Sequence, residues 1–161
     1  MKILCRGAAG TEKFGAFLAG FLKAGDLIAL EAPLGGGKTT LTRGICAGLG
    51  IPSDEISSPT FVLLQIYDGK LPVYHFDLYR LHGPEELHPI GAEDYFWGDG
   101  VSLVEWPAVG SSLFPPDRLE IALEYADGEE EARTLSLSGL GKWEKRLQAV
   151  ELAAAEQNFS G

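Results

Sequence analysis

The feature that most constrains the fold of this chain is a run of three glycines, Gly35 to Gly37, between segments of different periodicity. The preceding residues, 27–32, form a short and nearly continuous apolar run, which predicts a strand covered on both faces. The following residues, Lys38 to Leu49, have helical spacing, and Gly50 closes the predicted helix. The chain is therefore expected to pass from a buried strand through glycines directly into a helix.

The segment around these glycines has the composition of a phosphate-binding loop. Glycines permit positive φ and let backbone N–H groups approach phosphate oxygens, and the helix N-terminus adds its dipole at the same point. In this pattern Lys38 reaches the β- and γ-phosphates and the Thr39 hydroxyl ligates Mg²⁺. We therefore predict binding of ATP or GTP with magnesium, the alternative being an ordinary glycine-rich loop. The predicted phosphate-binding residues are Leu34, Gly35, Gly36, Gly37, Lys38, Thr39 and Thr40.

Two carboxylates stand where apolar strands are predicted to end. Asp77 closes the run 73–76, and Glu105 closes the run 101–104. A nucleotide-hydrolysing site needs an acid near the metal and a group that orients the attacking water. Either carboxylate could hold magnesium directly or through water, so Asp77, Glu105 and Lys38 are the candidate catalytic residues. For each carboxylate the alternative is a strand-end group that caps a loop.

The remaining pattern predicts an α/β fold with a mixed sheet, in a single domain spanning residues 1–161. Thr11 is a suitable N-cap for the first helix. Turn residues 68–70 and 127–129 each separate two strand-like runs, which predicts two hairpins. The predicted helices are 11–23, 38–49, a short one from Pro84, and a terminal one over 142–156; the predicted strands are 27–32, 61–67, 73–78, 101–105, 119–125 and 133–137.

Composition excludes several classes of function. With 13 basic and 23 acidic residues, the net charge is −10, which opposes unaided binding to nucleic acid. Cys5 and Cys46 fit neither a disulfide framework nor a zinc site, so we expect small buried side chains in a reducing compartment. No stretch approaches the roughly 20 apolar residues of a membrane span. We expect a cytoplasmic protein that does not enter membranes.

Beyond the loop, several segments in a specific order resemble one protein family, the TsaE (YjeE) family, a small ATPase of bacterial threonylcarbamoyladenosine tRNA modification. The resemblance covers residues 11–133. Its matching segments are Leu34–Thr40, Ser58-Pro59-Thr60-Phe61, His75-Phe76-Asp77-Leu78-Tyr79-Arg80, Pro84-Glu85-Glu86-Leu87, Gly91 with Asp94-Tyr95-Phe96, and Leu103-Val104-Glu105-Trp106-Pro107. The family pattern has glycine and usually aspartate where this chain has Ala32 and Pro33.

The resemblance implies a P-loop NTPase-like three-layer sandwich and slow ATP hydrolysis. It also implies two protein partners, TsaB and TsaD, which TsaE resets between turnovers, so that tRNA is met only through the complex. Lys38 and Thr39 would hold phosphate and metal, Glu105 would be the magnesium-linked glutamate, and Asp77 would be needed for activity. The remaining residues assigned by resemblance are Thr60 near the γ-phosphate, Trp106 at the rim of the site, and Thr11 and Arg133 beside the adenine or ribose.

Several alternatives stay open at this stage. His75 shares a strand face with Asp77, as a ligand, a base or a hydrogen-bonded strand histidine. Arg80 is either a phosphate or partner contact or part of a surface salt bridge, and the aromatic residues Phe96, Trp97 and Trp106 are either partner anchors or core. The rival functions are a nucleotide-gated binding module that does not need hydrolysis, and a small-molecule kinase.

Overall fold

A seven-stranded mixed sheet organises the residues that the computed structural model describes, which are 1–57 and 62–160. The strands are β1 (Lys2–Arg6), β2 (Leu27–Glu31), β3 (Leu64–Tyr67), β4 (Val73–Asp77), β5 (Val101–Glu105), β6 (Arg118–Ala126) and β7 (Glu129–Leu140). The α-helices are α1 (Gly7–Ala19), α2 (Lys38–Gly48), α3 (Ala92–Phe96) and α4 (Trp143–Ala154), with 3₁₀ helices at Ser53–Glu55, Pro84–Ile90 and Pro107–Leu113.

The strand order β1-β7-β6-β2-β5-β4-β3 places the strand before the glycine loop at the centre of the sheet. Strand β2 pairs in parallel with β5 and with β6, and β5 pairs in parallel with β4. The β3–β4 and β6–β7 pairs are antiparallel, so both predicted hairpins are confirmed. The prediction of an α/β fold with a mixed sheet is therefore correct.

Both faces of this sheet are covered. Along β2, Ile28 and Leu30 face a core built with α1, α2 and α4, whereas Leu27 and Ala29 face a second core that includes Phe96. This two-sided burial explains why the strand has an uninterrupted apolar sequence. It also places the glycine loop at the end of a strand that neighbouring elements hold rigidly.

The first helix begins earlier than its sequence pattern predicts. Helix α1 starts at Gly7, directly after β1, and ends at Ala19 rather than at residue 23. Thr11 is therefore not the N-cap but lies inside the helix, where its hydroxyl donates to the carbonyl oxygen of Gly7 at 3.4 Å. The first turn, residues 7–10, contains only Gly and Ala and so lacks the apolar stripe that reveals a helix in a sequence.

The C-terminal segment belongs to the same core as α1. Helix α4 buries Trp143 and Val150, and Phe159 packs edge-on against Phe14 at 5.2 Å between ring centroids.

In the described ranges, 1–57 and 62–160, no helix combines the length and the apolar character that crossing a membrane requires.

Helices α1 and α2 approach each other closely because glycines line their contact. A β-carbon on Gly44 would lie 2.2 Å from the carbonyl oxygen of Glu12, and one on Gly15 would lie 2.7 Å from the backbone nitrogen of Ile45. Real β-carbons do not approach backbone atoms so closely, so this helix pair requires glycine at both positions. The contact fixes α2, and with it the end of the glycine loop, against α1.

We expect Gly44→Ala to lower the free energy of unfolding by about 1–3 kcal/mol, because the added methyl group forces the two backbones apart. The matched control is Gly20→Ala: Gly20 has φ −64°, and a β-carbon there would meet its nearest atom at 3.4 Å. This control should stay within about 0.5 kcal/mol of the unmodified protein. Urea unfolding curves give both values, and equal stability of the two variants would contradict the packing described.

The two cysteines give a second prediction. Cys5 and Cys46 are free and fully buried, and burial raises the pKa of each thiol to about 12. Because the thiolate is the reactive species, almost none is present at pH 8. We expect negligible reaction with a disulfide reagent such as Ellman's reagent in the native state and two reactive thiols after unfolding in urea. Rapid labelling of either native thiol would contradict the burial.

Candidate nucleotide-binding site

Each of the three loop glycines is required by the backbone. Gly35 and Gly37 have φ values of 73° and 101°, in the left-handed region that side chains disfavour. Gly36 has no room for a side chain, because a β-carbon would lie 2.8 Å from the Cβ atom of Ala32 and 2.8 Å from the carbonyl oxygen of Pro33. That same Pro33 carbonyl accepts the N–H of Gly36 at 2.8 Å, which closes the turn.

The loop delivers the chain into an N-terminus suited to an anion. The N-cap of α2 is Gly37, which has no side chain to satisfy the first N–H groups. The first hydrogen bond into the helix is from Leu41 N–H to the Gly37 carbonyl at 2.9 Å, so the N–H groups of the preceding turn have no intrahelical acceptor. Free N–H groups and the positive end of the helix dipole make such a terminus a phosphate site.

The Lys38 side chain folds back over this loop. Its exposed fraction is only 8%, its ammonium donates to the carbonyl oxygen of Ala32 at 3.1 Å, and it lies 4.5 Å from the ring centroid of Trp106. Both contacts keep a cation at the mouth of the loop. Ala32 and Pro33 thus form the wall against which the loop and Lys38 rest.

The two candidate carboxylates lie side by side. Asp77 and Glu105 end the parallel strands β4 and β5 as direct register partners, so their side chains project from the same face of the sheet. Their exposed fractions are 7% and 2%. One oxygen of Asp77, Oδ1, accepts the N–H of Tyr79 at 3.0 Å, so this carboxylate also caps the loop that follows its strand.

Glu105 is paired with a buried histidine. Its Oε2 atom lies 2.7 Å from Nε2 of His75, and the two side chains are 3% and 0% exposed. Of the readings left open for His75, the structure favours a strand histidine that is hydrogen-bonded through Nε2 to a neighbouring strand.

The residue after Glu105 adopts an unusual backbone conformation. Trp106, with φ 56°, is the one non-glycine residue in the left-handed region within 1–57 and 62–160. This turn brings its ring beside that of Tyr79, with 4.9 Å between centroids. The indole therefore lies at the rim of the site, between Lys38 and Tyr79.

A cavity of about 260 Å³ unites these groups, lined by the whole loop, Asp77, Tyr79, Glu105 and Trp106. Tyr79 was not singled out by sequence reasoning, although it stands in the His75–Arg80 segment that carried part of the resemblance. Thr39 lines this cavity, whereas Thr40 also faces a second one. Thr60 lies outside the described residues.

The second cavity, of about 110 Å³, lies on the other side of the loop. Thr11 and Arg133 line it together with Gly35, Gly37, Thr40 and the acidic residue Glu131. Arg133 stacks on the ring of Tyr125 at 4.2 Å and donates to the carbonyl oxygens of Glu130 and Ala132 at 3.0 Å. The structure thus places Thr11 and Arg133 next to the loop but apart from the carboxylates.

The two other aromatic candidates, Phe96 and Trp97, lie in different environments. Phe96 is fully buried in the second core, whereas Trp97 is 62% exposed and contributes to neither core.

Across the described ranges, no group of three or more His, Cys, Asp or Glu side chains is placed to hold a metal ion on its own.

Residues 5–135 match the sequence model of the family described as "Threonylcarbamoyl adenosine biosynthesis protein TsaE". The TsaE protein of Bacillus subtilis is 41% identical over 130 residues, covering 80% of each chain. That of Treponema pallidum is 39% identical over 132 residues, covering 81% of this chain and 97% of its own.

A solved structure agrees with these sequence matches. The crystal structure of Bacillus subtilis YdiB superposes with a TM-score of 0.77 at 32% identity, covering 95% of both chains. The matched segment of the family runs from β1 into β7 and includes the loop, both carboxylates and Arg133. The chain therefore belongs to the TsaE family, whose members take part in threonylcarbamoyladenosine biosynthesis on tRNA.

Proposed function

We propose that this chain binds ATP with magnesium at the loop Leu34–Thr40 and hydrolyses the nucleotide slowly. It would do so as an accessory protein of the tRNA threonylcarbamoyladenosine modification complex, acting on TsaB and TsaD to permit repeated turnover. The observation that carries the proposal is the single cavity in which the glycine loop and Lys38 meet the carboxylates of Asp77 and Glu105. Family membership supports the cellular role.

The architecture supports a P-loop NTPase-like three-layer sandwich. The loop follows a strand that is central and buried, and the helix that receives it is packed against a second helix. Loops after parallel strands in such sheets are the usual place for a nucleotide, because the carboxyl ends of the strands meet at one edge. Here β2, β4 and β5 meet at that edge.

The loop would hold the phosphates by its backbone and by Lys38. Since the first N–H groups of α2 have no intrahelical acceptor, phosphate oxygens would satisfy them. The Lys38 ammonium would exchange the Ala32 carbonyl for oxygens of the β- and γ-phosphates, a stronger, charge-assisted partner. Because the glycine conformations are already formed, little ordering would be required on binding.

The oxygen donors at this edge fit magnesium. Thr39, Asp77 and Glu105 supply one hydroxyl and two carboxylates, and Mg²⁺ binds through a few such ligands together with phosphate oxygens and water. When bound, the cation would neutralise charge on the phosphates. Asp77 and Glu105 would accept hydrogen bonds from the attacking water, and Asp77 is already oriented by the N–H of Tyr79.

The second cavity would receive the nucleoside. It borders the opposite side of the same loop, so a nucleotide with its phosphates at Lys38 could extend toward Thr11 and Arg133. The Thr11 hydroxyl is turned toward Gly7, whereas the Arg133 guanidinium is held over Tyr125 and could stack on or contact an adenine or ribose.

The charge of the chain favours a role through partners. A net charge of −10 opposes direct binding to tRNA, so the modified adenosine would be reached only through TsaB and TsaD. The carboxylates beside the loop would then report the state of the nucleotide to those partners.

Lys38→Ala should weaken binding of a non-hydrolysable ATP analogue at least tenfold, because the ammonium no longer neutralises the phosphates. Lys145→Ala is the matched control: Lys145 is an exposed lysine on α4, and its loss should leave the affinity unchanged. Titration calorimetry in the presence of magnesium measures both. Equal affinities for the two variants would show that Lys38 does not contribute to ATP binding, and would contradict the proposed role of the loop.

Asp77→Asn should retain affinity for the ATP analogue within about threefold and lower ATP hydrolysis by about 10²-fold. Asparagine keeps an oxygen that can accept the N–H of Tyr79, so the loop should stay in place. ATP hydrolysis is measured with and without TsaB and TsaD, and multi-turnover tRNA modification is measured in their presence. If this variant supports repeated modification at the unmodified rate, the chain acts as a nucleotide-gated binding module and hydrolysis is not the working step.

A further inference from the structure

The buried pair of His75 and Glu105 is the polar contact of the site that the proposed function leaves unused. The Nε2 and Oε2 atoms are 2.7 Å apart, and both side chains are shielded from solvent. A buried carboxylate costs free energy unless it is hydrogen-bonded, so this contact compensates the burial of Glu105. It also fixes which way the carboxylate points.

The strand register explains how the two residues meet. Asp77 is the direct partner of Glu105 across β4 and β5, and His75 is the direct partner of Leu103. His75 precedes Asp77 by two residues on the same face and is therefore the diagonal neighbour of Glu105. His75 thus lies one step behind the two carboxylates, on the side away from the loop.

His75 cannot touch a nucleotide from this position. Its side chain has no exposed surface, and it does not line the cavity that holds the loop and the carboxylates. Its Nδ1 atom has no hydrogen-bond partner in the part of the chain that the structure describes. Since a carboxylate only accepts hydrogen bonds, Nε2 is the donor. The imidazole therefore donates its hydrogen bond to Glu105.

We infer that His75 is a positioning residue: its Nε2–H holds Oε2 of Glu105 so that the other oxygen, Oε1, is presented to magnesium or its bound water. This inference rests on the proposed function. Groups that hydrogen-bond a metal ligand from behind set its orientation, and losing one typically costs about 10- to 100-fold in metal affinity or activity. His75 therefore acts through Glu105, not on the substrate.

Two substitutions separate this role from simple packing. In His75→Gln the amide nitrogen occupies the place of Nε2 and can still donate to Glu105. In His75→Asn the amide is one methylene shorter, corresponds to Nδ1 and falls short of the carboxylate. Both variants are neutral and polar, so they differ chiefly in whether the hydrogen bond survives. His88→Asn is the matched control, because His88 contacts Glu93 at 3.5 Å in an exposed pair away from the loop.

The readout is the gain in affinity for a non-hydrolysable ATP analogue when EDTA is replaced by magnesium, measured by calorimetry. We expect His75→Asn to reduce that gain by about 10- to 100-fold while the affinity in EDTA stays within about threefold, because loop and Lys38 are untouched. His75→Gln and His88→Asn should keep the full gain. In a Glu105→Ala background, His75→Asn should have no further effect.

Three results would overturn the inference: an undiminished gain in His75→Asn, loss of the gain in His75→Gln, or an equal loss of affinity in EDTA and in magnesium. If the asparagine variant does not fold, the glutamine variant still leaves the inference open to disproof, because loss of its gain would overturn it. The proposed function itself would be contradicted if the unmodified protein bound no ATP analogue in either buffer. In that case the inference would fall with it.

Discussion

The site depends on the parallel pairing of β2, β5 and β4. Parallel strands end at a common edge, and in this chain the edge collects the glycine loop, Glu105 and Asp77, which are separated by tens of residues in sequence. The register adds a finer constraint, because Asp77 and Glu105 are direct partners and so face the same way. A shift of one residue in β4 would turn Asp77 and His75 to the opposite face and dissolve the arrangement.

Local sequence patterns correctly predicted the elements whose ends are marked by turn residues or by a break in the apolar run. The two hairpins are correct because alternating runs flank short turns rich in Gly and Asp, and β5 matches its predicted bounds because its apolar run is short and isolated. Strand β1 was missed, since its five residues are defined by pairing with β7 at the other end of the chain. The start of α1 was misplaced because Gly and Ala carry no amphipathic signal.

The candidate site likewise has features that the sequence predicts and features that it does not. The loop geometry follows from three adjacent glycines, and the strand ends carrying Asp77 and Glu105 were visible as polar residues after apolar runs. The contact between His75 and Glu105 could not be predicted, because it joins residues 30 positions apart and depends on which strands are neighbours. The left-handed turn at Trp106 was equally hidden, since no glycine marks it.

The C-terminal segment has a practical consequence for defining this protein by similarity. The family match ends at residue 135, yet Leu137, Trp143, Val150 and Phe159 are buried in the same core as α1. Removing everything after the match would strip β7 of its last residues and expose the apolar surface beneath α4. Boundaries for truncation should therefore be chosen from the core and not from the extent of the family match.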